Sequence, residues 1–201
     1  MARTPNAAVA LTDKIVAVHE TLSAADIPHA FGGALSLGYH SAPRGTREID
    51  LNVFLRPTML NVVVAALAPL GVSPPEDSGP RVPTSGVRCP WDETHVDLFL
   101  PYDDEFFDAV QARLEEHIFL DSSDNEHTLP FLSAEDLVIF KINFNRPKDW
   151  VDIGSILEEK LLDVEYVEKW LLHLRGDRVW PDLRRFLRMA EKTQPSAASN
   201  E

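Results

Sequence analysis

The sequence predicts an α+β protein, a mixed β-sheet flanked by helices and followed by a C-terminal helical bundle. Between residues 27 and 120, short runs that alternate apolar and polar side chains are interleaved with stretches of helical spacing. From Ser133 onward only the helical spacing continues. An apolar content of 44% over 201 residues suffices for one compact core with an appendage, since a chain of this size can bury about 70% of its unfolded surface.

The elements follow in chain order. A first helix is predicted over residues 12–23, where Ile15, Val16, Val18 and Leu22 share one side and Thr12 or Asp13 can cap the start. Residues 27–31 read as a short strand running into Gly32 and Gly33, a pair suited to a sharp turn, and then a helix over 34–40. Residues 49–55 are β-rich, and their alternation sends Ile49, Leu51 and Val53 one way and Glu48, Asp50, Asn52 and Phe54 the other. Pro57 opens a further helix that Gly71 stops. Residues 73–85, with four prolines and a glycine, form an exposed loop within the same sheet. A hairpin over 87–91 and 94–100 turns at Asp92-Glu93, and in its second strand Asp97 alternates against Val96 and Leu98. A helix over 106–114 and a strand over 118–120 complete this part. Ser133-Ala134-Glu135-Asp136 has the form of a helix start, and helices are expected over 137–144, 147–159, 164–174 and 181–192. The expected organisation is a core over residues 1–130, a helical region over 131–192 and a flexible tail over 193–201.

Charge narrows the functional classes. A formal net charge of −13 argues against a nucleic-acid cradle spread over the whole surface, because phosphate affinity comes from clustered Lys and Arg. One local exception lies between Arg175 and Lys192, where six basic residues face three acidic ones, and RNA contact is expected there at Arg184, Arg185 and Arg188. The apolar stretch over 60–70 is interrupted by Asn61 and Pro69, and it falls short of the roughly 20 residues a membrane span needs. Residues 1–10 carry no secretory pattern and Cys89 is the single cysteine, so a cytoplasmic protein without a membrane partner is expected.

Glu48 and Asp50, two residues apart on a strand, point the same way a few ångströms apart, and Asp97 on a neighbouring strand can close the group. Carboxylates so placed hold divalent cations, which neutralise a triphosphate and align attacking and leaving oxygens. Gly32 and Gly33 at a helix start supply the complement, since exposed amides and the positive end of the helix dipole receive phosphate oxygens. Arg44, Thr46 and Arg47, in the loop before the acid strand, are candidate nucleotide contacts at the rim, and Thr46 is also placed to bond within its own turn. Lys141 falls among Leu137, Val138, Ile139, Phe140 and Ile142, where a charge without a nearby anion would be costly.

The segment FGGALSLGYHSAPRGTREIDLNVFL (residues 31–55) resembles the signature of the polymerase beta-like nucleotidyltransferase superfamily, two glycines, a helix and an acid-hydrophobe-acid strand. HVDLFL resembles its third-carboxylate strand, and LSAEDLVIFKINFNRPKDWVDIGSIL resembles the second part of the AbiEii-like and MenT-like toxin branch, a lysine followed by a basic-Asp-x-x-Asp element. The resemblance implies a polymerase beta-like core, Mg2+ (with Mn2+ as substitute) held by Glu48, Asp50 and Asp97, and an NTP bound by Gly32 and Gly33. It further implies that Lys141 meets phosphate and that Asp152 is the terminal acid of its element. In studied relatives the acceptor is the tRNA 3′ end and the enzyme is the toxin of a toxin-antitoxin system, so tRNA and a cognate antitoxin are the implied partners. Glu48 stands where the family more commonly has Asp. Two alternatives stay open: transfer to a small molecule of the aminoglycoside kind or to a protein hydroxyl, and a catalytically impaired nucleotide-binding relative.

Overall fold

The computed structural model describes residues 9–75 and 86–193. Most of the expected proline-rich loop, the polar tail after Thr193 and the first eight residues lie outside the described residues. Among the described residues six strands form one sheet: β1 (His29–Phe31), β2 (Glu48–Val53), β3 (Val87–Trp91), β4 (Thr94–Phe99), β5 (Glu115–Leu120) and β6 (Glu126–Phe131). Their order is β3-β4-β2-β1-β6-β5. β2 runs parallel to β4 and β1 to β6, while the other neighbours are antiparallel. The helices are α1 (Leu11–Ala24), α2 (Gly33–His40), α3 (Leu60–Leu67), α4 (Asp104–Ala112), α5 (Ala134–Phe144), α6 (Pro147–Glu159), α7 (Val164–Arg175) and α8 (Trp180–Thr193). The architecture is α+β, a mixed sheet with helices and a C-terminal group of helices, as the two periodicities predict.

Alternation along β2 determines which way the sheet faces. Ile49, Leu51 and Val53 are fully buried against Ile15, Val18 and Leu22 of α1 and Val63 and Leu67 of α3. Each such side chain contributes about 1.5–3 kcal/mol by leaving water, and a one-residue slip would expose all three and bury the acids instead. The opposite face is covered by a second apolar cluster that joins Leu37 of α2 and Phe106 of α4 to Leu137, Trp150, Trp170 and Phe186 of the C-terminal helices. The polar residues of β2 face this second layer, and the site described below lies in between.

Two local features differ from expectation. β6 is a full strand that its sequence disguises, because Pro130 cannot donate to a ladder. The Leu132 amide donates to Phe31 in β1, and the missing donor of Pro130 faces the same side, where β1 pairs with β6 at Phe31↔Phe131. β1 and β6 pair at this one register position, so the proline stands at the end of a very short ladder. Neither Thr12 nor Asp13 caps α1, which starts at Leu11 after Ala10; the Asp13 carboxylate instead accepts from the amide and hydroxyl of Ser122, both at 2.8 Å. A tertiary partner has outcompeted the local cap. The helix expected from Pro57 to Leu70 is present as α3 flanked by two 3-10 turns, and Gly71 ends it at φ +95°.

Asp136 ties α5 to α7. Its carboxylate accepts from the Ser133 hydroxyl at 2.6 Å and the Tyr166 hydroxyl at 2.8 Å, with Arg113 3.8 Å away. Burial pushes this carboxyl up to about 6, and the two hydroxyls and Arg113 offset only part of that shift. A folded-state pKa above the unfolded one means that the group's contribution is complete below about pH 4 and is lost as pH rises through about 6. Denaturant titrations of Asp136→Asn and wild type at pH 5 and pH 7.5 should therefore differ, the variant gaining about 1 kcal/mol relative to wild type at the higher pH.

Candidate active site

The parallel register of β2 and β4 builds the site in rungs. Glu48 lies opposite His95, Asp50 opposite Asp97 and Asn52 opposite Phe99, and residues two apart on paired strands emerge on one face. β3 places Arg88 opposite Asp97. Glu48, Asp50, Asn52, Arg88, Asp97 and Phe99 form the floor of a cavity of about 480 Å³, and His95 lies beside Glu48 just outside its lining. Its far wall comprises Lys141, Asn143 and Phe144 from α5, then Arg146, and Lys148 and Asp149 from α6. Asn145 ends α5 at φ +55°, Pro147 opens α6, and Asp149 accepts from both the Arg146 amide and its guanidinium at 2.8–3.0 Å. That tight turn holds Arg146 at the cavity, over the Phe144 ring at 4.8 Å.

Gly33 is required by close approach as well as by conformation. Its φ is +55°, and a Cβ there would lie 1.7 Å from an Asp50 carboxylate oxygen. Gly33 and Ala34 line the cavity, whereas the Gly32 amide donates to the Asp50 carbonyl at 2.9 Å. The start of α2 is thus pressed against the middle rung of the floor.

The floor is strongly negative. Burial first, and then the neighbouring Asp97 and Glu48, push the Asp50 carboxyl up to about 6, although its side chain keeps some surface at the cavity floor. Arg88 answers part of this charge with a bidentate pair to Asp97 at 2.9 and 2.7 Å and a longer contact to Glu48 at 3.5 Å. The hydrogen bond to Asp97 in turn raises the Arg88 guanidinium. His95 Nε2 lies 3.1 Å from Glu48 Oε1, yet without hydrogen-bond geometry. Glu48, His95 and Asp97 each offer one ligand atom, all within 4.8 Å of one another. A divalent cation fits this set, because two of the three donors are hard carboxylate oxygens and the third is an imidazole nitrogen.

Behind the wall, Lys141 donates to Asp152 at 2.6 Å, and Arg44 reaches the same carboxylate at 3.2 and 3.1 Å. Burial lowers the Lys141 pKa and Asp152 offsets part of it. Burial raises Asp152, but the hydrogen bonds from Arg44 and Lys141 outweigh this and leave it lowered. Lys141 and Arg44 line the cavity, and Asp152 holds both in place from behind. Thr46 also lines the cavity, and its hydroxyl accepts from the Glu48 amide at 3.0 Å, the local turn bond that starts β2. Arg47 is exposed away from the cavity lining. Arg184, Arg185 and Arg188 are exposed on α8, and Arg185 lies over the Trp150 ring at 4.1 Å; none of the three lines the cavity.

Sequence reasoning missed Arg88, Arg146 and the position of His95. For Arg88 the signal was present: a two-residue turn at Asp92-Glu93 makes each cross-strand pair countable, and counting back places Arg88 opposite Asp97. Arg146 carries no such signal, since its aim depends on the packing of α5 and α6 on the sheet.

No protein-family model matches the sequence, and no curated protein matches it. Among solved structures the chain is similar to the antibiotic-resistance factor ANT(2'')-Ia, with 17% identity and a TM-score of 0.46 over 90% of this chain and 95% of that one. It is also similar to the lincosamide antibiotic adenylyltransferase LnuA, with 10% identity and a TM-score of 0.48 over 76% and 99% of the two chains. A nucleotidyltransferase-like protein from Paracoccidioides brasiliensis matches with 14% identity and a TM-score of 0.46 over 89% and 92%.

Two substitutions separate the site's strain from its charge. Gly33→Ala forces strained backbone and displaces Asp50, and should lower stability by about 1–3 kcal/mol in thermal melts. Asp50→Asn removes a like charge from the floor, and in metal-free buffer at pH 7.5 it should raise stability by about 1–3 kcal/mol.

Proposed function

We propose that this chain is a divalent-cation-dependent nucleotidyltransferase that moves a nucleoside monophosphate from an NTP to a hydroxyl of a small, cationic acceptor of the amino-sugar class. The observation that carries the reading is the grouping of Glu48, Asp50 and Asp97 on adjacent rungs, against the Gly33 turn and opposite a wall bearing Lys141, Arg146 and Lys148. In the reaction the acceptor oxygen attacks the α-phosphorus, the bond from that phosphorus to the bridging oxygen breaks, and pyrophosphate leaves. Glu48, Asp50 and Asp97 are the residues that would hold the cation, which supplies charge neutralisation when bound. Asp97 is positioned to accept the proton of the attacking hydroxyl, and Lys141, Arg146 and Lys148 attract the triphosphate. The Lys141–Asp152–Arg44 group keeps two of the wall's cations aimed at the cavity.

The acceptor class is supported by charge and by shape. A cavity of about 480 Å³ takes one small molecule beside a nucleotide's reacting end, and a net charge of −13 favours a cationic acceptor over RNA. The basic α8 residues on which tRNA contact was expected stand away from the cavity. The experiment is a transfer assay with a divalent cation and each labelled NTP, using a panel of amino-sugars in one arm and total tRNA in the other. Label should pass to an amino-sugar without RNA, Arg184→Ala/Arg185→Ala/Arg188→Ala should leave that transfer intact, and Asp50→Asn should lower it by at least about 100-fold. Label on tRNA alone would overturn the acceptor class, and no transfer in either arm, with wild type and Glu48→Asp alike, would overturn the enzymatic reading.

A further inference from the structure

His95 is the imidazole among the β2–β4 rungs, and it is paired in register with Glu48 rather than with an aspartate. Its Nε2 is sealed from solvent, makes no hydrogen bond and lies 3.1 Å from Glu48 Oε1. With the ring proton on Nδ1, Nε2 sets a lone pair against that carboxylate oxygen. A cation between the two turns this repulsion into coordination. Ligand atoms about 2.1 Å from an octahedral ion are about 3.0 Å apart when adjacent and about 4.2 Å apart when opposite, so the mutual 4.8 Å spread of the Glu48, His95 and Asp97 donors closes on one ion with small side-chain movement. The bidentate Arg88 pair does not block this, because each Asp97 oxygen retains a second lone-pair direction. Glu48 fits the same picture, its longer side chain reaching along the rung toward His95.

We propose that His95 is a ligand of the cation bound at this face, with Glu48 and Asp97, and that the site consequently selects a divalent first-row transition ion over Mg2+. Imidazole is a borderline donor that such ions accept readily, whereas Mg2+ prefers oxygen throughout its shell. The proposal rests on the reading of the acid face as a cation site but not on nucleotidyl transfer, so the two can fail separately.

The test uses the full chain stripped of metal with a chelator, titrated by calorimetry with Co2+ and, separately, with Mg2+. In His95→Asn the Co2+ affinity should fall about ten-fold while the Mg2+ affinity changes by less than about two-fold. An equal effect on both ions, or no effect on either, overturns the proposal. A second measurement needs no variant to fold: proton NMR of the Co2+-loaded wild type should show an exchangeable imidazole resonance shifted far outside the diamagnetic range by the bound paramagnet. Its absence overturns the proposal. If that resonance is present and no NTP is turned over with any cation, the ligand assignment stands and the enzymatic reading falls; turnover with Mg2+ and no shifted resonance gives the reverse.

Discussion

The structure depends on keeping like charges next to one another. Neighbouring strands run about 4.8 Å apart, and Asp50 and Asp97 are paired in register, so their side chains leave the sheet side by side. What holds them together is the other side of the same strands: Ile49, Leu51 and Val53 alternate with the acids and are packed without exposure against α1 and α3. The register that buries those aliphatic groups also aims the acids, so the hydrophobic effect maintains the electrostatic strain. Arg88, Lys141, Arg146 and Lys148 surround the floor with the opposite charge.

The C-terminal helices close the site rather than stand apart from it. Their apolar faces merge with α2 and α4 into one cluster, which brings the turn between α5 and α6 over the floor. The pair between Lys141 and Asp152 is buried, and pairs of that kind contribute little net stability because both charges lose their water. Its value here is geometric. Asp152 fixes Lys141 and, through a bidentate bond, the half-exposed Arg44, so the loop before β2 is tied to α6. Arg146 is fixed independently by Asp149 at the start of α6.

Much of this was readable along the chain. Alternation in residues 48–54 separates the acid face from the core face, helical spacing locates the four C-terminal helices to within a residue or a few, and Gly71 and Pro147 mark an end and a start. The unread parts share a physical cause, which is competition from partners distant in sequence. Asp13 gave up a local cap for Ser122, and Pro130 entered a strand that meets β1 at one register position. Arg44 looked like a ligand for phosphate and is held by a carboxylate more than a hundred residues away.

The sequence by itself determined the α+β class, the hydrophobic and acidic faces of β2, and the alternation of Asp97 against Val96 and Leu98, because strand periodicity and side-chain chemistry are local properties. Only the tertiary structure decided how these parts meet. The parallel register of β2 with β4 makes His95 the neighbour of Glu48, the hairpin lays Arg88 on Asp97, and helix packing closes a wall of cations over the floor. Those contacts are set by which apolar surfaces exclude water together, and no run of neighbouring residues encodes that.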